Sequence, residues 1–330
     1  MLFTRPGLEQ ATPEPVARQR AARLLSAVGA GAPVLDLCCG IGGDTLALAG
    51  AGAAVVAVDR DPASAWLARF NTGAYDEAAR AVVADVTGLR LRSTDVVHVD
   101  PARRVQSDGG RRGGYEPDLA WCFGLPARRV VIKAAPGLDH DDIAPAWAAE
   151  WVSLDRQLRA AVLWSPDLAG ETGDGAGGRR ATVIAGTEVT TLLAEPEVPR
   201  PPVREPGSWV VDPDPAVTRA GAVADLAAAL DGWLIDDRIG FVCTASEVAT
   251  PLGRMLRVAA SLPWSVRAVA AELVRLDAGD LQIRRRGLAG DVTALHRRLQ
   301  PRNRRGGPRV TLLMTRHRDR PWALLCTDPP

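Results

Sequence analysis

Short segments rich in valine, isoleucine and leucine alternate with alanine-rich segments from residue 33 onward, and this alternation restricts the fold more than any other feature. Strands that alternate with helices form a parallel sheet, because parallel neighbours need crossover connections whose helices bury both sheet faces. The sequence therefore predicts an α/β fold with a doubly wound sheet. Seven strands are predicted, at residues 33–39, 54–60, 81–86, 96–100, 130–133, 159–164 and 180–185.

Local signals at the ends of these segments agree with the pattern. Asp61 followed by Pro62 is typical of a helix N-cap with proline at the first helical position, and that helix is expected to end near Asn71. The last two predicted strands flank a glycine-rich loop, GETGDGAGG. They are expected to pair as a hairpin that completes the sheet.

A chain of 330 residues exceeds the size that one hydrophobic core usually supports, so more than one domain is expected. Residues 1–195 are predicted to form the α/β domain with an N-terminal helical segment. Residues 196–240 are predicted to form a proline-rich linker and a helix, because residues 196–206 include five prolines. Residues 241–330 are predicted to form a smaller α+β domain.

This last region differs from the rest in charge. Residues 241–330 hold 16 arginines and 7 acidic residues, a net charge of +9, so residues 1–240 carry −8 of the chain's total of +1. A basic region attached to an acidic body favours a polyanion as partner, although a solvated basic surface gives the same count. The elements predicted here are a strand at 281–285, a helix at 288–299 and a hairpin of 310–315 with 321–326.

The chain shows no signal for a membrane span, for secretion or for a disulfide framework. No apolar run reaches the roughly 18 residues of a spanning helix, and the N-terminus lacks the basic-then-apolar order of a signal peptide. The five cysteines are odd in number and lack the paired CxxC spacing of a zinc site. A cytoplasmic protein with no bound metal is expected, and the oligomeric state stays open.

The first predicted strand leads into a glycine-rich turn, DLCCGIGGDT, at residues 36–45. Gly40 and Gly42 allow the backbone to approach a ligand closely. A turn that cradles pyrophosphate would carry a third glycine where Thr45 stands, and Asp36 and Asp44 would repel the phosphates. A ligand with positive groups, such as S-adenosylmethionine, fits better than a nicotinamide dinucleotide.

The next two predicted strands also end in aspartate. Asp59 stands 23 residues after Asp36, at a position where an acid can accept hydrogen bonds from both ribose hydroxyls. Asp85 ends the third strand and could face an adenine amino group. Three successive strands that end in aspartate after a glycine turn favour a nucleoside cofactor more than any one acid does.

The fourth predicted strand ends in Asp100 and Pro101. In a doubly wound sheet the first and fourth strands flank the point where the strand order reverses, so these residues should face the same crevice as Gly40. The carboxylate and a backbone carbonyl can accept hydrogen bonds from an amino group and orient it for methyl transfer. His98 lies within the strand and is expected to be a core residue.

Four segments resemble motifs I to IV of class I methyltransferases: DLCCGIGGDT, AVDRDP, VVADV and DPAR. The first two, with the residues that follow them, are similar to the RNA guanine-N2 methyltransferases that include trimethylguanosine synthase. The whole pattern, with DPARR, VIKAAPGLD and IRRRG, resembles bacterial class I methyltransferases that carry a THUMP-like C-terminal domain. The resemblance implies methyl transfer from S-adenosylmethionine to a base nitrogen of tRNA or rRNA, with guanine among the candidate bases.

The resemblance also implies roles for individual residues. Asp100, Pro101 and Arg103 are implied to be catalytic. Amino-methylating families usually carry a second proline and an aromatic residue after Asp-Pro, whereas Ala102 and Arg103 stand here, and Arg103 could stack on a base or hold a phosphate. The implied cofactor-binding residues are Asp36, Cys38, Gly40, Gly42, Asp44, Thr45, Asp59, Arg60, Asp85 and Val86. The implied substrate-binding residues are Arg112, Tyr115, Lys133, Arg284, Arg285 and Arg286.

Four alternatives stay open at this point. The substrate could be a protein or a small molecule, or the chain could bind RNA with a vestigial cofactor pocket. A cytosine-C5 mechanism would need a nucleophile among Cys38, Cys39 and Cys122. A nicotinamide-dependent oxidoreductase is disfavoured by the missing third glycine. The glycine-rich loop at 106–115 could be a substrate lid or a plain connection.

Overall fold

The computed structural model describes residues 1–75, 78–103, 114–300 and 306–329. The chain divides into two compact units, residues 1–193 and residues 194–330. The first unit holds helices α1 Arg5–Gln10, α2 Glu14–Val28, α3 Gly43–Gly50, α4 Pro62–Asn71, α5 Leu119–Phe123 and α6 Pro166–Glu171. Its strands are β1 Pro33–Leu37, β2 Ala54–Asp59, β3 Ala79–Val83, β4 Val96–Val99, β5 Ala102–Arg103, β6 Tyr115–Glu116, β7 Arg129–Ala134, β8 Ala148–Leu154, β9 Gln157–Trp164, β10 Arg179–Ala185 and β11 Glu188–Ala194.

Nine of these strands form one sheet in the order β11-β10-β8-β9-β7-β4-β1-β2-β3. Strands β3, β2, β1, β4 and β7 run parallel, whereas β9 is antiparallel to both β7 and β8. The chain moves outward from β1 to β3 and returns to β4 on the other side of β1. The strand order therefore reverses between β1 and β4, as predicted for a doubly wound α/β fold.

The predicted hairpin between 159–164 and 180–185 is wrong. Residues 157–164 form β9, which pairs with β7 and β8, and residues 179–185 form β10, which runs parallel to β8. Strands β8 and β11 were not predicted, and β8 occupies the place between the two expected partners. The sheet therefore has two more strands than the seven that the sequence indicated.

Burial and capping explain the central part of this sheet. All four residues of β4 are buried, as expected for a parallel strand that is covered on both faces. The Asp61 side chain accepts hydrogen bonds from the Ala63 and Ser64 amides, which confirms the predicted N-cap of α4. On one face of the sheet, buried residues of α2 and α3, among them Val16, Leu24 and Leu48, pack in one cluster with strand residues such as Val34 and Trp164.

The second unit holds helices α7 Pro215–Ala220, α8 Val223–Ala229, α9 Val266–Arg275 and α10 Val292–Leu299. Its strands are β12 Trp209–Pro213, β13 Trp233–Leu234, β14 Val242–Thr244, β15 Gly253–Pro263, β16 Asp280–Arg285, β17 Arg309–His317 and β18 Arg320–Thr327. They form a sheet in the order β13-β14-β12-β15-β18-β17-β16. Three elements predicted for this region are confirmed. The strand at 281–285 is β16, the helix at 288–299 is α10, which begins at Val292, and the C-terminal hairpin is the β17–β18 pair.

This sheet is covered on both faces. Leu312 and Leu325 belong to the cluster that packs under α9 and α10, and their chain neighbours Leu313 and Leu324 belong to a second cluster with Phe241. Successive residues of a strand point to opposite faces, so the two clusters are the two sides of one sheet. The structure places β12, α7 and α8, from the range predicted as linker and helix, inside this unit.

Candidate active site

A cavity of about 1260 Å³ lies in the first unit at the carboxyl ends of the central strands. A typical site for one small ligand encloses about 300–1,000 Å³, so this cavity has room for a cofactor and part of a substrate. It is lined by the glycine turn after β1, by the ends of β2, β4 and β7, and by the N-terminal segment. It therefore lies where the strand order reverses, at the place that the sequence predicted.

The glycine turn forms one wall of the cavity. Cys38 and Gly40 have positive φ angles of 58° and 54°, and a Cβ atom at Gly40 would meet nothing within 4 Å. The Gly40 backbone is therefore open to a ligand. Gly42 serves packing instead, because a Cβ atom there would lie 2.8 Å from Ala68 Cα of α4. Gly42 does not belong to the cavity lining, in contrast to the sequence prediction.

Asp59 and Asp85, both predicted to bind the cofactor, line the cavity. Asp59 accepts hydrogen bonds from the Gly40 amide at 2.9 Å and from the Asp61 amide at 2.9 Å, so its carboxylate is held against the glycine turn. Asp85 is exposed, and hydrogen bonds from the Thr87 hydroxyl and amide lower its pKa. The sequence-predicted residues Cys38, Gly40, Asp44, Arg60 and Val86 belong to the same lining.

The charges around the cavity match a cationic nucleoside. Seven acidic residues and four basic residues line it. A pyrophosphate would meet this excess of carboxylates unfavourably, whereas the sulfonium and ammonium groups of S-adenosylmethionine would be stabilised by it. The open backbone at Gly40 and the acid at the end of β2 complete a donor and acceptor set that fits this cofactor.

Asp100 and Lys133 form an ion pair in the cavity, just after the end of β4 and on β7 respectively. Lys133 Nζ lies 2.5 Å from Asp100 Oδ2 and 4.0 Å from Asp44 Oδ2. Within the described residues, Asp100 Oδ1 has no hydrogen-bond partner. Lys133, predicted to bind substrate, therefore holds the carboxylate of Asp100 and leaves its second oxygen available as an acceptor.

Behind the cavity wall lies a chain of buried polar groups that sequence reasoning missed. Asp36 is fully buried and accepts hydrogen bonds from Thr45 Oγ1 at 2.5 Å and from His98 Nδ1 at 2.8 Å. Arg20 Nη1 donates to His98 Nε2 at 3.2 Å and to Asp44 Oδ1 at 2.6 Å. A guanidinium can only donate, so His98 Nε2 accepts and Nδ1 carries the proton. Asp36 and Thr45 thus lie behind the wall, and the expectation that they face the ligand is corrected.

Asp44 joins this buried chain to the cavity. Burial raises its pKa, but the positive charges of the neighbouring Arg20 and Lys133, with the hydrogen bond from Thr12, outweigh that effect and hold the pKa well below its usual range. Thr12 Oγ1 donates to the second carboxylate oxygen at 2.9 Å. Asp44 therefore stays ionised, and its oxygens are already bonded within the protein.

The N-terminal segment forms a wall of the cavity that the sequence did not indicate. Thr4, Gly7 and Thr12 belong to the lining, and Leu2 exchanges two hydrogen bonds with the Asn71 side chain at 2.6 and 2.8 Å. A Cβ atom at Gly7 would lie 2.6 Å from Ile41 Cγ2, so only glycine lets α1 pack this close to the glycine turn. No local sequence pattern could predict this contact, because the partners are far apart in the chain.

Predicted catalytic and substrate-binding residues lie together in the cavity lining. Arg103, Tyr115 and Lys133 line it, and the structure adds Arg159 of β9, which sequence reasoning missed. The Ala135 amide donates to Tyr115 Oη at 2.8 Å, and burial raises the pKa of Tyr115. Arg112 and most of the 106–115 loop lie outside the described residues.

The cysteines near the site are poor candidates for a nucleophile. Burial, followed by the nearby Asp59, raises the pKa of Cys38, and burial followed by Asp36 raises that of Cys39, both well above the usual range. Burial raises the pKa of Cys122 to about 12. A thiolate is needed for attack, so the cytosine-C5 alternative is disfavoured.

The three arginines of the IRRRG segment lie in the second unit, at the end of β16 and just after it. Arg284 is exposed, Arg285 donates to the Gly290 carbonyl, and Arg286 donates to Asp212 Oδ1 at 2.9 Å. Of the three, Arg286 is the one that lines a cavity of this unit. Arg284 and Arg285 are thus both exposed, and Arg284 Nε lies 3.9 Å from Asp212 Oδ2, whereas Arg286 is bonded to the same Asp212 on strand β12.

The glycine turn after β1 and the acids at the ends of β2, β3 and β4 around one switch point define an S-adenosylmethionine-dependent methyltransferase of class I. Two curated relatives, described as uncharacterized S-adenosylmethionine-dependent methyltransferases of Mycobacterium tuberculosis strains CDC 1551 and H37Rv, are each 36% identical over 311 residues. The alignment covers 92% of this chain and 82% of each relative. The chain belongs to this methyltransferase family, and S-adenosylmethionine is its cofactor.

Two further comparisons agree with this assignment. A family model for a THUMP domain-like region matches residues 253–328, within the second unit. A crystal structure described as that of a methyltransferase from Porphyromonas gingivalis W83 has a TM-score of 0.76 at 19% identity, with 99% of this chain and 83% of that chain covered. At this identity the likeness shows a shared fold.

Two features are absent from the described ranges. Among these residues no group of three or more histidine, cysteine, aspartate or glutamate side chains is placed to hold a metal ion. None of the helices within the same ranges combines the length and apolar character that a membrane crossing requires.

Proposed function

We propose that this enzyme transfers a methyl group from S-adenosylmethionine to a base nitrogen of RNA, in tRNA or rRNA, with guanine among the candidate bases. The observation that carries the proposal is the position of Asp100 and Pro101, which line the same cavity as Gly40 and Asp59. Acceptors for an amino group and the predicted cofactor wall therefore share one enclosed space.

Asp100 is suited to orient an exocyclic amino group. Such nitrogens are weak nucleophiles because their lone pairs are delocalised into the ring. Lys133 holds Oδ2, so Oδ1 is the oxygen that would accept an N–H of the base and turn the nitrogen lone pair toward the cofactor. S-adenosylmethionine, when bound, supplies the methyl group on a positively charged sulfur. The nitrogen gains that methyl group and releases one proton.

The cations in the cavity lining favour a polyanion. Arg103 and Arg159 are exposed, line the cavity and have no ion-pair partner in the part of the chain that the structure describes. Guanidinium groups bind phosphate through paired N–H donors and also stack on bases. The THUMP domain-like match at 253–328 and the excess of arginine after residue 240 support RNA in the same way.

The direct test is nucleoside mass spectrometry of RNA from cells with the gene, without it and with an Asp100→Ala version. We expect one methylated nucleoside to be present with the intact gene and absent from the other two samples. An Asp95→Ala version, changed just before the first residue of the same strand β4, should keep the modification. Identical RNA profiles in all samples would exclude RNA and leave a protein or small molecule as the methyl acceptor.

RNA binding itself gives a second test. If the enzyme contacts about four phosphates of a single strand, the logarithm of the affinity should fall with the logarithm of the salt concentration with a slope of about −3. A slope near zero would contradict the proposed contacts with phosphates of the RNA backbone.

A further inference from the structure

The second unit contains a cavity of about 560 Å³ whose chemistry differs from that of the methyltransferase site. It lies where the end of α7, the segment before β14, the residues after β16 and the end of β17 meet. It is lined by three arginines and one acid among its eight residues: Thr218, Arg238, Ile239, Gly240, Arg286, Gly287, Arg316 and Asp319. An excess of guanidinium groups in a concave site is suited to an anion.

Arg286 forms a fixed wall of this cavity. Its Nη2 donates to Asp212 Oδ1 at 2.9 Å and to the Pro213 carbonyl at 3.2 Å, and its Nη1 donates to Thr218 Oγ1 at 3.1 Å. The guanidinium also lies over the Phe241 ring, with 5.0 Å to the centroid. Arg286 is therefore preorganised, because its position does not depend on a ligand.

The two glycines of the lining make this arrangement possible. A Cβ atom at Gly240 would lie 3.2 Å from Arg286 Nη1. Gly287 has a φ of 83°, and a Cβ atom there would lie 2.3 Å from Ile239 Cδ1. Larger residues at either position would press on the Arg286 side chain or on the opposite wall, so glycine keeps the cavity open.

Arg316 brings a second guanidinium with an unused donor. Its Nη2 bonds to Asp319, but its Nε is buried and has no hydrogen-bond partner in the described ranges. Buried N–H groups are almost always paired in folded proteins, and a charged one most of all. Arg316 therefore brings to the lining a guanidinium whose hydrogen-bonding capacity the described residues leave incomplete.

Arg238 supplies the uncompensated charge. Its side chain is exposed and has no ion-pair partner among the residues that the structure describes. Its position is nevertheless set, because its amide donates to Asp236 Oδ1 at 3.1 Å while the Asp319 amide donates to Asp236 Oδ2 at 2.7 Å. The buried Asp236 thus fixes the backbone at Arg238 and at the turn after β17, and both segments line this cavity.

We infer that this cavity binds a phosphate group of the RNA substrate, an inference that rests on the proposed RNA function. The planar fork of arginine matches phosphate oxygens, and the site offers one preorganised guanidinium, one with a buried unpaired N–H and one without a counter-charge. The phosphate belongs either to the backbone or to a 5′ end.

The test compares the affinities of full-length variants for a short single-stranded RNA labelled at its 3′ end, measured by fluorescence anisotropy. Arg238→Gln should weaken binding by roughly tenfold and reduce the magnitude of the salt slope by about 0.7. Arg267→Gln is the matched control, because Arg267 is exposed on α9, outside this cavity, and the change in charge is the same. It should leave the affinity within about twofold, the size of an ordinary surface change.

Equal losses in the two variants would overturn the phosphate site while leaving the proposed function in place. No RNA binding by the unchanged chain would overturn both. The same RNA with a 5′ phosphate and with a 5′ hydroxyl distinguishes the two sources. A loss confined to the phosphorylated strand assigns the cavity to a terminal phosphate, and a loss with both strands assigns it to the backbone.

Discussion

The carboxylates in and around the methyltransferase cavity form two groups, one that a ligand can reach and one that is buried. Asp85 and Asp100 each keep an oxygen without a partner in the described part of the chain, and Asp59 is bonded only to backbone amides. Asp36 and Asp44 are buried and bonded to side chains on both oxygens. The acids of these motifs therefore have two tasks: the accessible ones, in motifs II to IV, can still accept hydrogen bonds from a ligand, and the buried ones, in motif I, stabilise the cavity wall.

The largest expected effect concerns an accessible acid. Asp100→Ala should lower kcat by about 10²–10⁴-fold, because the target amino group loses its orienting acceptor. The dissociation constant of S-adenosylmethionine, measured by calorimetry, should stay within about threefold, since Asp100 is proposed to face the substrate. An equal loss of cofactor affinity and activity would place Asp100 in the cofactor site instead.

The next effect concerns the buried chain. Arg20→Met should lower the free energy of unfolding by about 3–5 kcal/mol, because Asp44 and His98 lose a buried cationic partner. Arg18→Met, on the same helix α2, is the control, since its ion pair with Glu14 is exposed and should contribute about 0.5 kcal/mol. Chemical denaturation of both variants tests this. Equal losses of unfolding free energy would show that the buried polar groups stabilise the protein no more than an exposed ion pair does.

The buried polar groups around Asp44 should also make the stability of the protein depend on pH. The pKa of Asp44 is lower in the folded protein than its ordinary value, so its stabilising contribution is present above about pH 4 and is lost as the pH falls toward the folded pKa. Denaturation between pH 6 and the acid limit of folding should show a steeper fall for the unchanged protein than for Asp44→Asn. Parallel curves would contradict the coupling of Asp44 to Arg20.

Asp59→Ala gives a smaller effect on binding. Loss of a charged hydrogen-bond acceptor should raise the dissociation constant of S-adenosylmethionine by about tenfold to a hundredfold. Release of the Gly40 amide from the carboxylate should act in the same direction. Calorimetric titration measures both affinity and stoichiometry, and unchanged affinity would remove Asp59 from the cofactor site.

The smallest effect is expected at Asp85. This side chain is exposed and already engaged by Thr87, so Asp85→Ala should raise the same dissociation constant by only about two- to threefold. If Asp85→Ala lost as much affinity for S-adenosylmethionine as Asp59→Ala, the two acids would contribute equally to cofactor binding despite the exposure of Asp85.

Much of this site could be predicted because its signals are local. A strand, its terminal acid and the following glycine or proline are neighbours in sequence, so Asp59, Asp85 and Asp100 could be placed at strand ends. The misread region shows the limit of such signals. Strand β8 carries the fully buried Glu150, which breaks the apolar pattern of a central strand and is stabilised by Arg23 and Thr182 from elsewhere in the chain.

The sequence by itself determined the fold class, the order of the motif-bearing strands and the opposite net charges of residues 1–240 and 241–330, because periodicity and composition act over a few residues or over the whole length. The tertiary structure alone decided that Asp36 is hydrogen-bonded to Thr45 and His98, and that Lys133 forms an ion pair with Asp100. It also decided that the N-terminal segment lines the cavity. Such contacts join residues far apart in the chain, 62 positions for Asp36 and His98 and 33 for Asp100 and Lys133, and only packing selects them from many equivalent charges.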